Sequence, residues 1–339
     1  MLELLTGCVT MAVPVPDPVY VLRGIDSGIN TLCFQCSNAD PDFPILYSGS
    51  SNGLIHIWNL KTRRACSSLN GHGGKSVYCV KTLPNRRNGL LSQGRDQNIC
   101  LWDLSEGRNV VTETLFTDNV GFCKCSLSEV TEKRSLLATP WKGLDEVHVL
   151  ELPSKTPICT LKAEADAKLG LPMSLRIWQP STGSHPHLLA GYEDGSVVLW
   201  DLSMGRMLSR ITCHQEPVMS LDFDSEKAKG VSGSSEKKLC VWSPTRLENL
   251  ELQQTYQLTN PGISEVTLRQ DKKILATAGW DHRIRLFGWK KLKPLAVLDY
   301  HTSTVYCVAF SDHNQPSERL MAAGSKDHRI SVWSIYNQT

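Results

Sequence analysis

An all-β ring of seven repeated four-stranded sheets, a seven-bladed β-propeller, is the fold this sequence predicts. Three observations lead there. The stretch LLAGYEDGSVVLWDLSMGRML, from Leu188 to Leu208, has relatives along the whole chain. The residue closing its second strand recurs as Trp58, Trp102, Leu150, Trp200, Trp242, Phe287 and Trp333. These anchors lie about 40–50 residues apart, the period of four-stranded blades. Finally, alternation of apolar and polar residues is common, whereas helical periodicity is nearly absent.

Each copy has the same grammar. ILYSGSSNGLIHIWNLKTRRACSSL starts at Ile45, LLSQGRDQNICLWDLSEGRNVV at Leu90 and GVSGSSEKKLCVWSP at Gly230. ILATAGWDHRIRLFGWKKLKPLAVL starts at Ile274 and LMAAGSKDHRISVWSIY at Leu320, with a weaker copy, LLATPWKGLDEVHVLELPSKTPICTL, at Leu136. A short apolar strand reaches a pair of small residues. A tight turn, an alternating strand ending on the anchor, a polar turn and one more strand follow. Upstream runs such as SVYCVKTL, PVMSLDF and TVYCVAF supply a fourth strand. One such sheet cannot bury both faces, so radial stacking is the stable solution. The segment PDPVYVLRG, Pro16 to Gly24, has the composition of an outermost strand. It is expected to complete the last blade beside Trp333 and join the chain ends. Residues 17–339 then form the propeller and residues 1–16 a flexible N-terminus. That N-terminus is mildly apolar, but it has Glu3 and no Lys or Arg before Arg23, so it lacks the basic start of a secretory signal.

A net charge of +2 gives no long-range attraction to nucleic acid or an anionic membrane. No apolar run approaches the ~18–20 residues of a membrane helix. Most of the 12 cysteines sit singly in alternating apolar runs, as small buried hydrophobes. Reduced thiols place the chain in the cytoplasm, with the nucleus as a second compartment. Cys33 and Cys36 form a C-x-x-C, and Cys123 and Cys125 a C-x-C. Neither has the further ligands zinc needs at usable spacing, so no metal and no cofactor are expected.

The segment GHGGKSVYCV, followed by LLSQGRDQNICLWDL, resembles a WD40 repeat, and the resemblance covers nearly the whole chain. It implies a hydrogen-bonded network within a blade, linking a histidine, a turn Asp, a hydroxyl and the strand Trp. Blade two has all four: His72, Asp96, Ser92 and Trp102. Blade five has His214, Ser232 and Trp242, with Glu236 for Asp. Blade six has Thr277 and Asp281 but no His, and Phe287 replaces Trp. Blade seven has His301, Asp327 and Trp333, with Ala323 at the hydroxyl position. Blade four has Asp194 and Trp200 with Ala190, and blade three has Asp145 without the Trp. A buried imidazole needs partners at both nitrogens, so these sets read as structural pegs. A catalytic His–Asp–Ser triad is the sharper reading, but an enzyme has no use for several diluted copies.

Other motifs fit the ring equally well. WDHR, Trp280 to Arg283, resembles the W-D-x-R by which some WD40 proteins dock onto a cullin-ligase adaptor, but it falls in the turn before the third strand rather than at that strand's end. NGHGGKS, Asn70 to Ser76, lacks the spacing of a phosphate-binding loop and leads into a strand, not a helix. KTRR at Lys61, RRN at Arg86 and WKKLKP at Trp289 are small basic clusters in surface turns, without the interleaved aromatics of RNA binders.

Two regions are candidates for partner binding. Residues 162–187 depart from the repeat and include exposed-looking Leu169 and Leu171. A loop held by a rigid scaffold is where binding tends to reside. The ring's narrow face gathers turn and junction residues: Arg95, Tyr192, Trp280, His282, Lys326 and His328. Trp280 precedes a turn Asp, where the fold needs no large aromatic, and an exposed Trp suits a binding hot spot.

Within the WD40 family, LLSQGRD, ADAKLG, CHQEPVM, LTNPGI and KILATAGWDHRIR are similar to the G-protein β-like and ASTRA-associated members, from Val19 to Tyr336. That resemblance implies a monomeric, non-enzymatic adaptor. Its partners would be the Tel2–Tti1–Tti2 co-chaperone complex and the phosphatidylinositol-3-kinase-like kinases it matures. A signalling subunit akin to Gβ is the alternative. Three prolines and no heptads in residues 1–20 argue against the helix that pairs with Gγ.

Overall fold

The computed structural model describes residues 16–35, 45–83, 86, 88–142, 145–180, 185–245, 249–313 and 315–337. The expectations for residues 1–15, and for Cys36 of the C-x-x-C, lie outside the described residues. An outermost strand, β1 (Tyr20–Leu22), comes first. Blade one follows with β2 (Ile29–Phe34), β3 (Ile45–Ser50), β4 (Leu54–Asn59) and β5 (Arg64–Asn70). Blade two holds β6 (Val77–Thr82), β7 (Gly89–Gly94), β8 (Asn98–Asp103) and β9 (Val110–Phe116). Blade three holds β10 (Ser126–Thr131), β11 (Arg134–Pro140), β12 (Glu146–Leu152) and β13 (Thr156–Lys162). Blade four holds β14 (Pro172–Trp178), β15 (His187–Tyr192), β16 (Ser196–Asp201) and β17 (Arg206–Thr212). Blade five holds β18 (Val218–Asp224), β19 (Lys229–Ser234), β20 (Lys238–Pro244) and β21 (Leu250–Gln257). Blade six holds β22 (Ile263–Leu268), β23 (Ile274–Gly279), β24 (Ile284–Gly288) and β25 (Lys293–Leu298). Blade seven holds β26 (Val305–Phe310), β27 (Met321–Ser325) and β28 (Ile330–Trp333), and β1 is its fourth strand.

The seven sheets are all antiparallel and four-stranded, so blade three is complete. Tyr20 pairs with Val332 and Leu22 with Ile330. The first strand among the described residues thus closes the last blade, at the segment the sequence pointed to.

Two devices recur from blade to blade. In blades one to six a bulge interrupts the pairing of the third and fourth strands at the anchor residue. The extra residue twists the strand locally. All seven anchors, from Trp58 to Trp333, are buried. The second device sits at the channel. Neighbouring innermost strands do not share a sheet, so backbone N–H groups there need other acceptors. Side chains of the preceding blade provide them. Thr31 accepts from Val80, Gln93 from Cys125, Ser126 from Ile177, Ser174 from Leu221, Ser220 from Val266, and Glu265 from Val308, at 2.9–3.3 Å.

Two sequence expectations are corrected. Residues 162–187 are not an irregular insertion: they contain a short 3-10 turn, Ala165–Ala167, and the ordinary inner strand β14. Residues 181–184 of that stretch lie outside the described residues. Leu169 is buried, because its side chain packs into the core between blades three and four. Its carbonyl accepts from Asp194 N–H at 3.1 Å, which pins the junction down. Leu171 is half-buried.

Candidate functional site

The turn between the second and third strands of each blade and the junction entering that blade share one end of the ring, because the four strands alternate in direction. Backbone bonds tie the two together. The N–H of the first turn residue donates to its own junction in blades one, two, four, six and seven: Ser51 to Gly28, Arg95 to Ser76, Glu193 to Leu171, Trp280 to Gly262 and Lys326 to Thr304. Arg95, Trp280 and Lys326 therefore occupy equivalent places on one face.

Beneath this face lie the buried polar sets. In blade two, His72 Nδ1 is 2.8 Å from Asp96, and Nε2 is 2.7 Å from Ser92 Oγ. Trp102 Nε1–H donates to the same Oγ at 2.7 Å. A Cβ at Gly94 would come within 2.4 Å of His72 Nδ1 and 2.5 Å of Asp96, so the set needs a glycine beside it. Blade five has the same arrangement, with His214 Nε2 2.9 Å from Ser232, Trp242 donating to Ser232 at 3.3 Å, and Glu236 3.5 Å from His214 Nδ1.

Blade seven departs from the sequence expectation. Ala323 leaves no gap, because Ser331, its cross-strand partner on β28, provides the hydroxyl. It lies 2.8 Å from His301 Nε2 and accepts from Trp333 Nε1–H at 2.8 Å, while Asp327 is 2.9 Å from His301 Nδ1. Blade six uses the same third-strand position, two residues before the anchor, for Arg285. Its guanidinium donates twice to Asp281, at 3.0 and 2.5 Å, and Asn260 donates to Asp281 at 2.8 Å. Burial alone would raise the Asp281 carboxyl, but these donors hold it down at about 2. In blade four, Arg210 on the outer strand reaches Asp194 and donates to Ser196 at 3.0 Å.

The exposed residues form two groups on the turn face. On blades six and seven, Trp280 keeps 45% of its surface in water. Its ring lies over Gly262, where φ is +90° and a Cβ would come within 2.4 Å of the indole. Thr304 Oγ donates to the Trp280 carbonyl at 3.3 Å and accepts Lys326 N–H through its own carbonyl at 2.9 Å, which joins the two blades. His282 is half-buried, with Nδ1 3.2 Å from Asp299, and Arg283 donates to the same carboxylate. Lys326 and His328 are exposed.

On blades two and three, Arg95 donates to the carbonyls of Val120 and Gly121 at 2.7 and 3.1 Å. Its guanidinium stacks 3.8 Å from the centre of the Phe122 ring. Phe122 and Val120 are 65% and 62% exposed. Sequence reading missed these two. The signal was an apolar pair within the junction DNVGFCKC, where a polar turn was expected. Tyr192 does not belong to the face: it is fully buried against blade three, and burial pushes its phenol well up. The last residue of β15 faces the neighbouring blade, not the turn.

The axial channel encloses about 410 Å³. Lys124 of blade three reaches across it to Glu265 of blade six, at 2.5 Å. Burial alone would lower the Lys124 ammonium, but Glu265 holds it above the ordinary lysine value. Glu265 also accepts Val308 N–H, and Asp222 accepts from Leu268 N–H while facing Arg176 at 3.4 Å. These channel carboxylates are engaged in holding the blades together. Among the described residues, no group of His, Cys, Asp and Glu is arranged to hold a metal ion.

Comparison with known proteins defines the class. The profile described as "WD domain, G-beta repeat" matches residues 16–59, 63–103, 205–243 and 292–334. The chain belongs to the WD40-repeat family of propeller scaffolds. It is 57% identical over 323 residues to "Guanine nucleotide-binding protein subunit beta-like protein 1" of Mus musculus, covering 95% of this chain and 97% of that relative. It is 28% identical over 384 residues to "ASTRA-associated protein 1" of Schizosaccharomyces japonicus, covering 95% and 100%. The protein of the same name in Schizosaccharomyces pombe is 25% identical over 383 residues, again covering 95% and 100%.

Proposed function

We propose that this chain is a non-enzymatic adaptor whose turn face docks protein partners during assembly of phosphatidylinositol-3-kinase-like kinases. It would act beside Tel2–Tti1–Tti2, in the cytoplasm and nucleus. The observation that carries the reading is Trp280. A large aromatic stays half in water on a turn that the fold would accept without it, and Gly262 and Thr304 hold it in place. Rigid, half-exposed aromatics make efficient anchors because little entropy is lost when they bind. Lys326, His328 and His282 add polar groups on the turns of the same two blades. The name of the fungal relatives, ASTRA-associated protein 1, supports membership of an assembly.

The test is quantitative mass spectrometry of a tagged copy recovered from cytosol at moderate salt. Stoichiometric Tel2–Tti1–Tti2 or its client kinases are expected. The name of the murine relative favours a second reading, a β-like signalling subunit. Recovery of a Gγ-like chain without the co-chaperone would replace the first reading with that one.

A further inference from the structure

The seam between blades two and three differs from the other six. Its innermost strands, β6 and β10, share less backbone contact than any other neighbouring pair of inner strands, although Tyr78, Cys79, Cys125, Leu137 and Leu152 pack into one buried cluster across it. A cavity of about 400 Å³ opens along it, lined by Leu83 and Leu101 on one side and Leu152 and Pro153 on the other. Outside that cavity, within the buried cluster that joins the two blades, two thiols face each other. Cys79 Sγ, on β6, is 3.8 Å from Cys125 Sγ, just before β10. Both side chains are buried, and Cys125, but not Cys79, lines the axial channel, so a small solute reaches the pair from the Cys125 side.

Cys213 and Cys240 form a second buried pair within blade five, where the hydrogen bond from Cys213 holds Cys240 down at about 5 and Cys240 Sγ donates to the Cys213 carbonyl at 3.1 Å; the remaining buried cysteines are differently placed. Cys100 donates to the Gly71 carbonyl, and burial raises it to about 11. Burial also pushes Cys123 and Cys307 well up. Cys79 moves the other way, to about 7. The hydrogen bond from Cys125 is the largest cause, and Lys81 and Lys124 add to it against burial and Glu265. The thiolate is the reactive form, so Cys79 is the nucleophile of the pair and Cys125 the thiol that resolves it.

We propose that Cys79 and Cys125 are a peroxide-sensitive pair that closes to a disulfide across the seam between blades two and three. The Cys79 thiolate attacks one oxygen of hydrogen peroxide. The O–O bond breaks, the sulfur is oxidised to a sulfenic acid, and the departing hydroxide takes up a proton and leaves as water. Cys125 sulfur then attacks the sulfenic sulfur. The S–O bond breaks, the S–S bond forms, and the Cys125 proton leaves with the hydroxyl as a second water. Two thiols have lost two electrons, and one peroxide has been reduced. The sulfurs must move from 3.8 Å to the ~2.05 Å of a disulfide inside the buried cluster that Tyr78, Leu91, Leu137 and Leu152 complete around them. Closure would fix the base of the junction that carries Phe122.

The experiment treats the full chain with hydrogen peroxide, blocks free thiols, digests without reductant and maps cross-linked peptides. A Cys79–Cys125 peptide that disappears with dithiothreitol is the expected result. Recovery of both residues as blocked thiols, or a cross-link confined to Cys213 and Cys240 in blade five, would overturn the proposal. In Cys125→Ser the hydroxyl still donates to Cys79, but the sulfenic acid at Cys79 has no resolving thiol and is expected to be captured by dimedone. A folded variant with no dimedone adduct at Cys79 would also overturn it. If that variant does not fold, the peptide map of the unsubstituted chain decides alone.

Discussion

Blades two and six meet the same problem with different chemistry. Each must bury a turn carboxylate and keep the start of its third strand in register. Blade two does so with His72, Ser92 and Trp102 around Asp96. Blade six has neither the His nor the Trp and grips Asp281 with the fork of Arg285. What the repeats preserve is the satisfaction of a buried polar group rather than a set of residue types. The substitute comes from one position, two residues before the anchor, in both blade six and blade seven. The family profile matches the stretches holding the third-strand Trp of blades one, two, five and seven. In those four the Trp donates to a serine hydroxyl.

The sharpest way to break the comparison is Arg285→Ala. Asp281 and Arg285 are nearly buried, with side chains 14% and 9% exposed, so removing the cation leaves a carboxylate with Asn260 as its chief donor. Breaking a buried pair from one side costs about 3–5 kcal/mol. Thermal unfolding should show the largest drop of any single change discussed here. A variant that melts like the unsubstituted chain would mean the fork contributes nothing.

The same pair makes a pH prediction. Asp281 is held at about 2 in the folded chain, below the ~3.9 of an unfolded Asp. Its carboxyl is depressed, so its contribution is complete above pH ~4 and is lost as pH falls from there through the folded value. The amount is on the order of 2 kcal/mol. The gap in Tm between the unsubstituted chain and Asp281→Asn should therefore be constant above pH ~4 and shrink below it. A gap that stays constant down to pH ~2 would contradict the assignment.

The Trp–Ser–His–Asp sets allow a rescue experiment. Asp96→Ala removes the partner of His72 Nδ1 and should cost ~1–3 kcal/mol. Ser331→Ala orphans both His301 Nε2 and Trp333 Nε1, and the cost should fall in the same range, about 1–3 kcal/mol. Adding Ala323→Ser returns a hydroxyl from the paired strand, at the place blade two uses for Ser92. Urea midpoints should show the double variant more stable than Ser331→Ala alone. No recovery would mean the hydroxyl works only from β28.

These cases show what the sequence made legible. The period, the anchors and the closing strand could be read because each is a local pattern repeated along the chain. Ser331 and Arg285 could not be assigned, because their roles depend on a cross-strand register that no local pattern reports. Tyr192 and Leu169 misled for a related reason. Whether a residue in a blade junction or at a strand end faces water or the neighbouring blade is decided by the ring, and both pack against blade three. Phe122 was overlooked because its exposure depends on the stacked Arg95, 27 residues earlier in the chain.

The smallest expected effect on stability comes from Trp280, the residue that the adaptor reading makes its docking anchor. Trp280 contributes its backbone to the blade-six junction, through N–H to Gly262 and through its carbonyl to Thr304, and an alanine keeps both bonds. Its indole covers Gly262 but remains 45% exposed. Trp280→Ala should therefore stay within about 0.5 kcal/mol of the unsubstituted chain, the range of surface substitutions. If the adaptor reading holds, the same variant should lose most of its captured partner, since truncating an aromatic hot spot costs about 2 kcal/mol or more of binding. Circular dichroism melting and partner recovery, measured on one preparation, separate the two roles. A melting loss as large as that of Asp96→Ala would make Trp280 part of the packed blade and move the search for the docking residue to Phe122.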